Sequence, residues 1–162
     1  MSKVKIKIND VDELRNELDK IYESSYQVDL AKWSISLAKH IFYTIKVDYK
    51  NNNVVLNGFK VNEDWQIGEA RMYDVRLAGF KVHELARNES DSIKSTAFRV
   101  AGQAVGSGHM REHMREHAMV ASDYAIKVIN LLYPNELNQV KEKRIWQINK
   151  LKNIKNKIGH YD

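Results

Sequence analysis

The chain has 162 residues, enough for one domain that buries a hydrophobic core of its own. It contains no cysteine, which excludes disulfide bridges and thiolate metal sites, and we expect a reducing, cytoplasmic compartment. The net charge of +5 is local, because Lys and Arg outnumber acidic residues seven to two from Gln139 to Asp162. No segment reaches the roughly 18 apolar residues of a membrane span, and the basic N-terminus lacks an apolar export segment, so we expect no membrane association.

The scarcity of helix-breaking residues indicates an all-α fold. Pro134 is the single proline, and there are only seven glycines, so the chain can form long uninterrupted helices. We predict a single-domain bundle of about six helices over residues 10–162. Charged and apolar residues alternate from Lys3 to Ile8, so residues 1–9 are compatible with either a tail or a short strand.

The first two predicted helices are amphipathic. Asp10 begins a capping-box pattern, and apolar residues recur at helical spacing from there to Glu23. Asp29 is the predicted cap of a second helix over 30–47, in which apolar residues recur every three or four positions. Trp33 is its aromatic anchor.

The middle of the chain is less regular. The segment 54–59 is compatible with a short helix or with a strand that Gly58 interrupts. After it, helical spacing predicts a helix over 72–87, and Ser90 or Asp91 is the expected cap of the helix that follows. The predicted buried face of the helix over 72–87 consists of Met72, Val75, Ala78, Gly79, Val82 and Leu85.

The stretch from Arg99 to Leu132 is predicted to be one long central helix, buried by the rest of the bundle. It begins with glycine and alanine at four-residue spacing, notably Gly102 and Gly106, which lets another helix approach closely. The unit HMRE then occurs twice in tandem, and a long amphipathic run follows. No serine, histidine and acid pattern typical of hydrolases occurs, so the sequence gives no basis for hydrolase chemistry.

The tandem unit places three histidines in one row. His109, His113 and His117 are four residues apart, and imidazoles one helical turn apart can bind one zinc or nickel ion. His109 and His117 would lie about 12 Å apart along a straight helix, so a single ion cannot bind all three. The alternative is that these histidines are buried, hydrogen-bonded or exposed without a metal, and then no cofactor is needed.

A basic helix is predicted over 134–158, beginning at Pro134. Such a face can neutralise nucleic-acid phosphates or bind an acidic protein, or it can simply be the solvated side of an amphipathic helix. The basic face consists of Lys143, Arg144, Lys150, Lys152 and Lys155, and the opposite, apolar side consists of Leu137, Val140, Ile145, Ile148, Leu151, Ile154 and Ile158.

Four segments resemble a known family. They read DLAKWSISLAKHIF, EDWQIGEARMYDVRLAGFKVHELAR, STAFRVAGQAVGSGH and EHAMVASDYAIKVIN. Together they are similar to the immunity protein family found beside bacterial polymorphic toxins, over about 29–133. The family has one H-x-x-x-H-A unit, whereas here a second HMRE separates the first histidine from the last. The matching motif positions are Trp33, Arg87, Arg99, Gln103, His109, His117 and Tyr124, with His113 as the alternative to His109 for the family's first histidine.

The resemblance implies a small all-α cytoplasmic protein that protects its producer by binding a toxin polypeptide. It carries no catalytic residue, so we predict a non-enzymatic, toxin-neutralising protein. Two other classes of function stay open from the sequence. One is a metal-binding protein or metal-dependent enzyme that uses the histidine row, and the other is a nucleic-acid-binding module that uses the basic helix.

Overall fold

The computed structural model describes residues 4–107 and 114–159, and the side chains among them except for 114–115 and 157–159. These residues form seven α-helices and one 3-10 turn and contain no strand, which confirms the predicted all-α fold class. The elements in chain order are α1 (Asp12–Glu23), α2 (Gln27–Thr44), the 3-10 turn (Tyr49–Asn51), α3 (Asn53–Gln66), α4 (Met72–Asn88), α5 (Ser92–Gly106), α6 (Met114–Leu132) and α7 (Leu137–Gly159).

Helices α2 and α6 lie in the middle of the molecule and contribute to two hydrophobic clusters. In the first cluster, α3, α4 and α5 pack against one side of this pair, around Phe42 and Ala121. In the second cluster, α1 and α7 pack against the other side, around Trp33 and Met119. Within these layers α4 packs chiefly on α5 and α3, and α1 packs chiefly on α7. Burial of the apolar stripe of each helix accounts for the layered arrangement.

The prediction of one long helix over Arg99–Leu132 is wrong, because two helices occupy this stretch. Helix α5 ends at Gly106 and α6 begins at Met114. Gln103 near the end of α5 lies within hydrogen-bond distance of His117 near the start of α6. The chain therefore reverses direction between them, and the described helices number seven instead of about six.

A buried amide holds the C-terminal end of α5. The Nδ2 group of Asn62 donates to the carbonyl oxygens of Ala104 and Val105, at 3.3 and 2.9 Å. The hydroxyl of Ser107 donates to the carbonyl of Ala104, and the hydroxyl of Ser34 lies 3.1 Å from that of Ser107. The last carbonyls of a helix need such partners when they are buried, so these side chains stabilise the end of α5 at this position.

The uncertain segment 54–59 is part of α3, and Gly58 does not interrupt it. A methyl group on Gly58 would lie 3.0 Å from a methyl of Val105 and 3.2 Å from one of Val82. Glycine therefore lets α3 approach α4 and α5 closely. The side chain of Asn52 caps the helix by accepting from the backbone N–H groups of residues 54 and 55.

One of the predicted helix caps is correct and two are not. The Asp91 carboxylate accepts from the N–H of Lys94 and caps α5, as predicted. Asp10 instead forms an ion pair with Arg144. Asp29 lies inside the first turn of α2, where its side chain is buried and its Oδ1 has no hydrogen-bond partner among the described residues. Burial raises the pKa of Asp29 above its ordinary value, although the charges of nearby lysines oppose this.

The prediction that Pro134 begins the last helix is wrong, because Pro134 lies in a turn before α7. The predicted apolar side of α7 is correct for Val140, Ile148 and Leu151, which are buried, whereas Leu137 and Ile145 are exposed. The predicted helix therefore began three residues before α7 does. The buried arc of α7 is also narrower than the apolar side that the sequence predicted.

The segment before α1 lies along α6. Residues 4–11 form neither helix nor strand. The N–H of Asn9 donates to Oδ1 of Asn130, and Nδ2 of Asn130 donates back to the carbonyl of Asn9. This reciprocal pair fixes the position of the segment and brings Asp10 to α7.

Candidate functional site

Helices α4 and α5 approach each other closely because both carry glycine at their contact. A methyl group on Gly79 would lie 3.5 Å from the carbonyl oxygen of Gly102, which is ordinary contact distance. A methyl group on Gly102 would lie only 2.6 Å from the imidazole ring of His83. The imidazole therefore occupies the space that a side chain at position 102 would need. The sequence predicted that the small residues of α5 let another helix pack closely, and α4 does so.

A cleft of about 90 Å³ opens beside this contact, between α4, α5 and α6. Its walls include the guanidinium-bearing side chain of Arg76, the Phe80 ring and the imidazoles of His83 and His117. Nδ1 of His117 lies 2.7 Å from Oε1 of Gln103, a hydrogen bond that orients the His117 ring. The cleft is large enough for one small side chain or a few waters, and not for a substrate of ordinary size.

Positive charge surrounds His83. Burial, and then the charges of Arg99 and Arg87, lower the pKa of His83 below its ordinary value. His83 is therefore neutral at neutral pH. The positive charge at this site is then supplied by the arginines, whose guanidinium groups stay charged at any physiological pH.

The outer surface of α4 carries large apolar side chains next to Arg76 and Arg87. Six residues lie within one arc of about 100° on the helix, opposite the buried arc of Val75, Ala78 and Val82. Tyr73, Leu77 and Phe80 are exposed by 58%, 42% and 53%. We call this arc the α4 face, and it consists of Tyr73, Arg76, Leu77, Phe80, Glu84 and Arg87.

The α4 face was not predicted from the sequence. Met72, which was assigned to the buried side of this helix, is also exposed, by 43%. The signal that was present is the helical spacing of Tyr73, Leu77 and Phe80, which forms a second apolar stripe beside the core stripe. A helix with two apolar stripes can bury both or expose one, and only the packing decides between them.

The structure brings some of the family motif positions together and leaves others apart. Gln103 and His117 contact each other at the cleft, and Arg87 and Arg99 act on His83 there. Trp33 is fully buried in the second cluster, where its Nε1 donates to the carbonyl of residue 147 at 2.9 Å. Tyr124 is half-buried against the first cluster.

The proposed histidine row is described only in part. His109 and His113 lie outside the described residues, and the ring of His117 bonds to Gln103. Within 4–107 and 114–159, no group of three or more His, Asp or Glu side chains is arranged to hold a metal ion. The zinc or nickel hypothesis therefore stays a prediction, because two of its three histidines lie outside the described residues.

The basic face of α7 is largely engaged within the molecule. Arg144 is fully buried, and its guanidinium donates to both Asp10 oxygens at 3.0 and 2.7 Å and to Asp123 at 2.7 Å. Arg144 is therefore part of the core, whereas the sequence pattern placed it on the basic face of the helix. Asp123 also accepts two hydrogen bonds from Arg15, at 2.9 and 3.1 Å. This buried cluster joins the segment before α1 to α1, α6 and α7.

The lysines of the same face also have intramolecular contacts. Nζ of Lys143 lies 2.7 Å from Nε2 of His40, and burial lowers the pKa of Lys143 to about 8. Lys155 donates to the hydroxyl of Ser24 at 2.6 Å and to carbonyls at the end of α1. Lys152 pairs with Glu17 at 3.6 Å. Of the five predicted positions, Lys150 alone has no hydrogen bond or ion pair to a described residue.

None of the helices in the described ranges is both long and apolar enough to span a membrane.

No curated protein and no solved structure matches the chain. A family model described as "Imm-5 like putative immunity protein" matches residues 20–154, which is most of the chain. The resemblance seen in the sequence is confirmed, and the chain belongs to the Imm-5-like family of immunity proteins.

Proposed function

We propose that this protein binds a toxin polypeptide and neutralises it without catalysis, in the cytoplasm of the cell that produces both. The proposal rests on membership of the family and on one observation, the α4 face. Three large apolar side chains lie exposed there beside arginines, and exposed apolar residues flanked by Arg and Tyr are typical of protein interfaces. Aromatic and arginine side chains also supply most of the binding free energy at such interfaces.

The arrangement of the basic residues favours this function over nucleic-acid binding. Arg144 is buried, and Lys143, Lys152 and Lys155 have partners within the molecule. A phosphate backbone would have to compete with those contacts. Few cations of α7 are then left for the several phosphate contacts that give appreciable nonspecific affinity.

The test is protection of a cell from the toxin polypeptide that the tagged chain retains at high salt in a pull-down from its own host. We expect cells that express the toxin domain alone to stop growing, and cells that also express this protein to grow normally. The purified proteins should elute together in a ratio near one to one and stay together at high salt. If protection fails although both proteins are expressed and folded, the proposed function is wrong.

Two further measurements on the same purified sample distinguish toxin binding from nucleic-acid binding and from metal binding. Nucleic acid that co-purifies and is released by salt would favour the nucleic-acid-binding module. Stoichiometric zinc or nickel, lost when His113 and His117 are changed to Ala, would favour the metal-binding protein. We expect neither in the complex.

A further inference from the structure

The α4 face and the cleft beside it form one continuous surface. Arg76 and Phe80 belong to the α4 face and also line the cleft. The Arg76 guanidinium lies 5.1 Å from the centre of the Phe80 ring, so the charge and the apolar surface adjoin each other. A ligand that covers Phe80 therefore also meets the charge at the mouth of the cleft.

The arginines of this surface have no carboxylate partner in the described part of the chain. Arg76 and Arg87 are exposed and Arg99 is half-buried, and none of them forms an ion pair with a described residue. By contrast, the other arginines for which the structure gives partners, Arg15, Arg71 and Arg144, each bond to a carboxylate.

Among the described residues, the acidic side chains near this surface form no ion pair with these arginines. Asp74, at the start of α4, accepts from the backbone and side chain of Arg71, which lowers the pKa of Asp74. Glu84 is the one carboxylate on the α4 face, against two arginines there and Arg99 next to it. The surface is therefore apolar with an excess of positive charge, and its complement is apolar with negative charge.

The cleft itself has room for one small side chain, and most of its lining is apolar. Its volume is about 90 Å³, and Arg76, His83 and His117 are among the residues that line it. A carboxylate is the group that accepts hydrogen bonds from guanidinium and imidazole N–H groups together, and it forms its strongest pairs with arginine.

We propose that the α4 face binds an acidic segment of the toxin polypeptide, with one Asp or Glu side chain of that segment entering the cleft beside Arg76 and His83. Apolar side chains of the same segment pack on Tyr73, Leu77 and Phe80. This inference rests on the proposed function, because the toxin supplies the segment.

The first experiment measures by calorimetry the binding of the full-length chain to the toxin polypeptide identified in the protection test. We expect Arg76→Glu and Arg87→Glu to weaken binding about tenfold or more each, and Phe80→Ser to weaken it to a similar degree. The matched control is Lys141→Glu, which makes the same change in charge at an exposed position of α7 and should leave binding within about twofold. Hydrogen exchange in the complex should show protection over 72–88.

The outcomes separate the two proposals. If the unmodified chain does not bind the toxin domain, the proposed function fails and this inference fails with it. If the chain binds, but Arg76→Glu and Arg87→Glu bind as tightly as Lys141→Glu, the proposed function stands and this inference is overturned. If the chain alone forms a dimer that Phe80→Ser dissociates, the α4 face is occupied by a second copy, and the inference is again overturned.

A second experiment tests the cleft without the toxin. Glutarate is titrated into the chain alone at constant ionic strength, and the imidazole signals of His83 and His117 are followed by NMR. We expect a saturating shift at millimolar concentrations that is weakened about fivefold or more by Arg76→Gln. Equal shifts in Arg76→Gln and in the unmodified chain would show that the cleft does not select carboxylates.

Discussion

Asp123 is the centre of a buried charge cluster, in which one carboxylate bonds to two arginines. Arg15 and Arg144 both donate to it, and all three side chains are at least 94% buried. Asp10 and Asp19 supply further carboxylates, so the guanidinium groups are not left with uncompensated charge. A buried ion pair gives little net stability compared with an apolar core, but removing one partner is costly because the remaining charge stays buried.

We predict that Asp123→Asn lowers the free energy of unfolding by about 3 to 5 kcal/mol, because two buried arginines lose their shared negative charge. The measurement is urea unfolding followed by circular dichroism at neutral pH. The control is Glu63→Gln, which breaks the exposed pair with Lys39 and should cost less than about 1 kcal/mol. Equal costs for both variants would show that the cluster is not essential to stability.

Between α4 and α5, two glycines of the same helix have opposite roles. Gly102 lies against the His83 ring, where an added methyl would come within 2.6 Å of it. Gly106 has more space among the described residues, of which the nearest to an added methyl is His117 at 3.9 Å. Alanine is otherwise favoured over glycine in a helix, by about 0.5 to 1 kcal/mol.

We therefore predict that Gly102→Ala lowers the free energy of unfolding by about 1 to 3 kcal/mol, whereas Gly106→Ala leaves it unchanged or raises it slightly. Both changes in the free energy of unfolding are measured by urea unfolding of the single variants. Adding His83→Ala to Gly102→Ala should recover stability compared with the sum of the two single changes, because the clash is removed. Strict additivity would mean that the imidazole is not what excludes a side chain at 102.

The elements that were predicted correctly are those specified by nearby residues. Helices α1, α2 and α4 follow from apolar spacing, and the Asp91 cap from its local pattern. The end of α5 was missed because Asn62, which bonds its last carbonyls, is far away in the sequence. At the candidate site, the resemblance supplied Arg87, Arg99, Gln103 and His117. His83 and the α4 face were missed, because they depend on which arc of α4 the other helices cover.

At the scale of the whole molecule, α2 and α6 hold the two clusters in a fixed relation. The first cluster carries the α4 face on α4, and the second carries α1 and α7 with the Asp123 cluster beside them. The α4 face therefore lies on a helix with a well-packed inner side. Such a preformed surface loses little conformational entropy on binding, which favours tight binding of the proposed toxin partner.

The same architecture predicts how stability depends on pH, through two partly buried histidines. His40 stacks on Trp146, with ring centroids 3.9 Å apart. Burial, and then the charges of Lys143 and Lys150, lower the pKa of His40 to about 4, and the pKa of His83 is lowered as well. The unfolded chain, with ordinary histidine pKa values near 6.5, therefore binds more protons than the folded protein below that pH.

We predict that stability is greatest above pH 6.5 and falls as the pH is lowered from about 6.5 towards 4, by less than about 1 kcal/mol for each partly exposed histidine. The measurement is urea unfolding at half-unit steps over this range. His40→Phe keeps an aromatic ring on Trp146 but cannot bind a proton, so its stability should fall less steeply. His83→Gln should have a similar effect through the second site. If both variants lose stability as steeply as the unmodified chain, carboxylates and not these histidines determine the acid sensitivity of the fold.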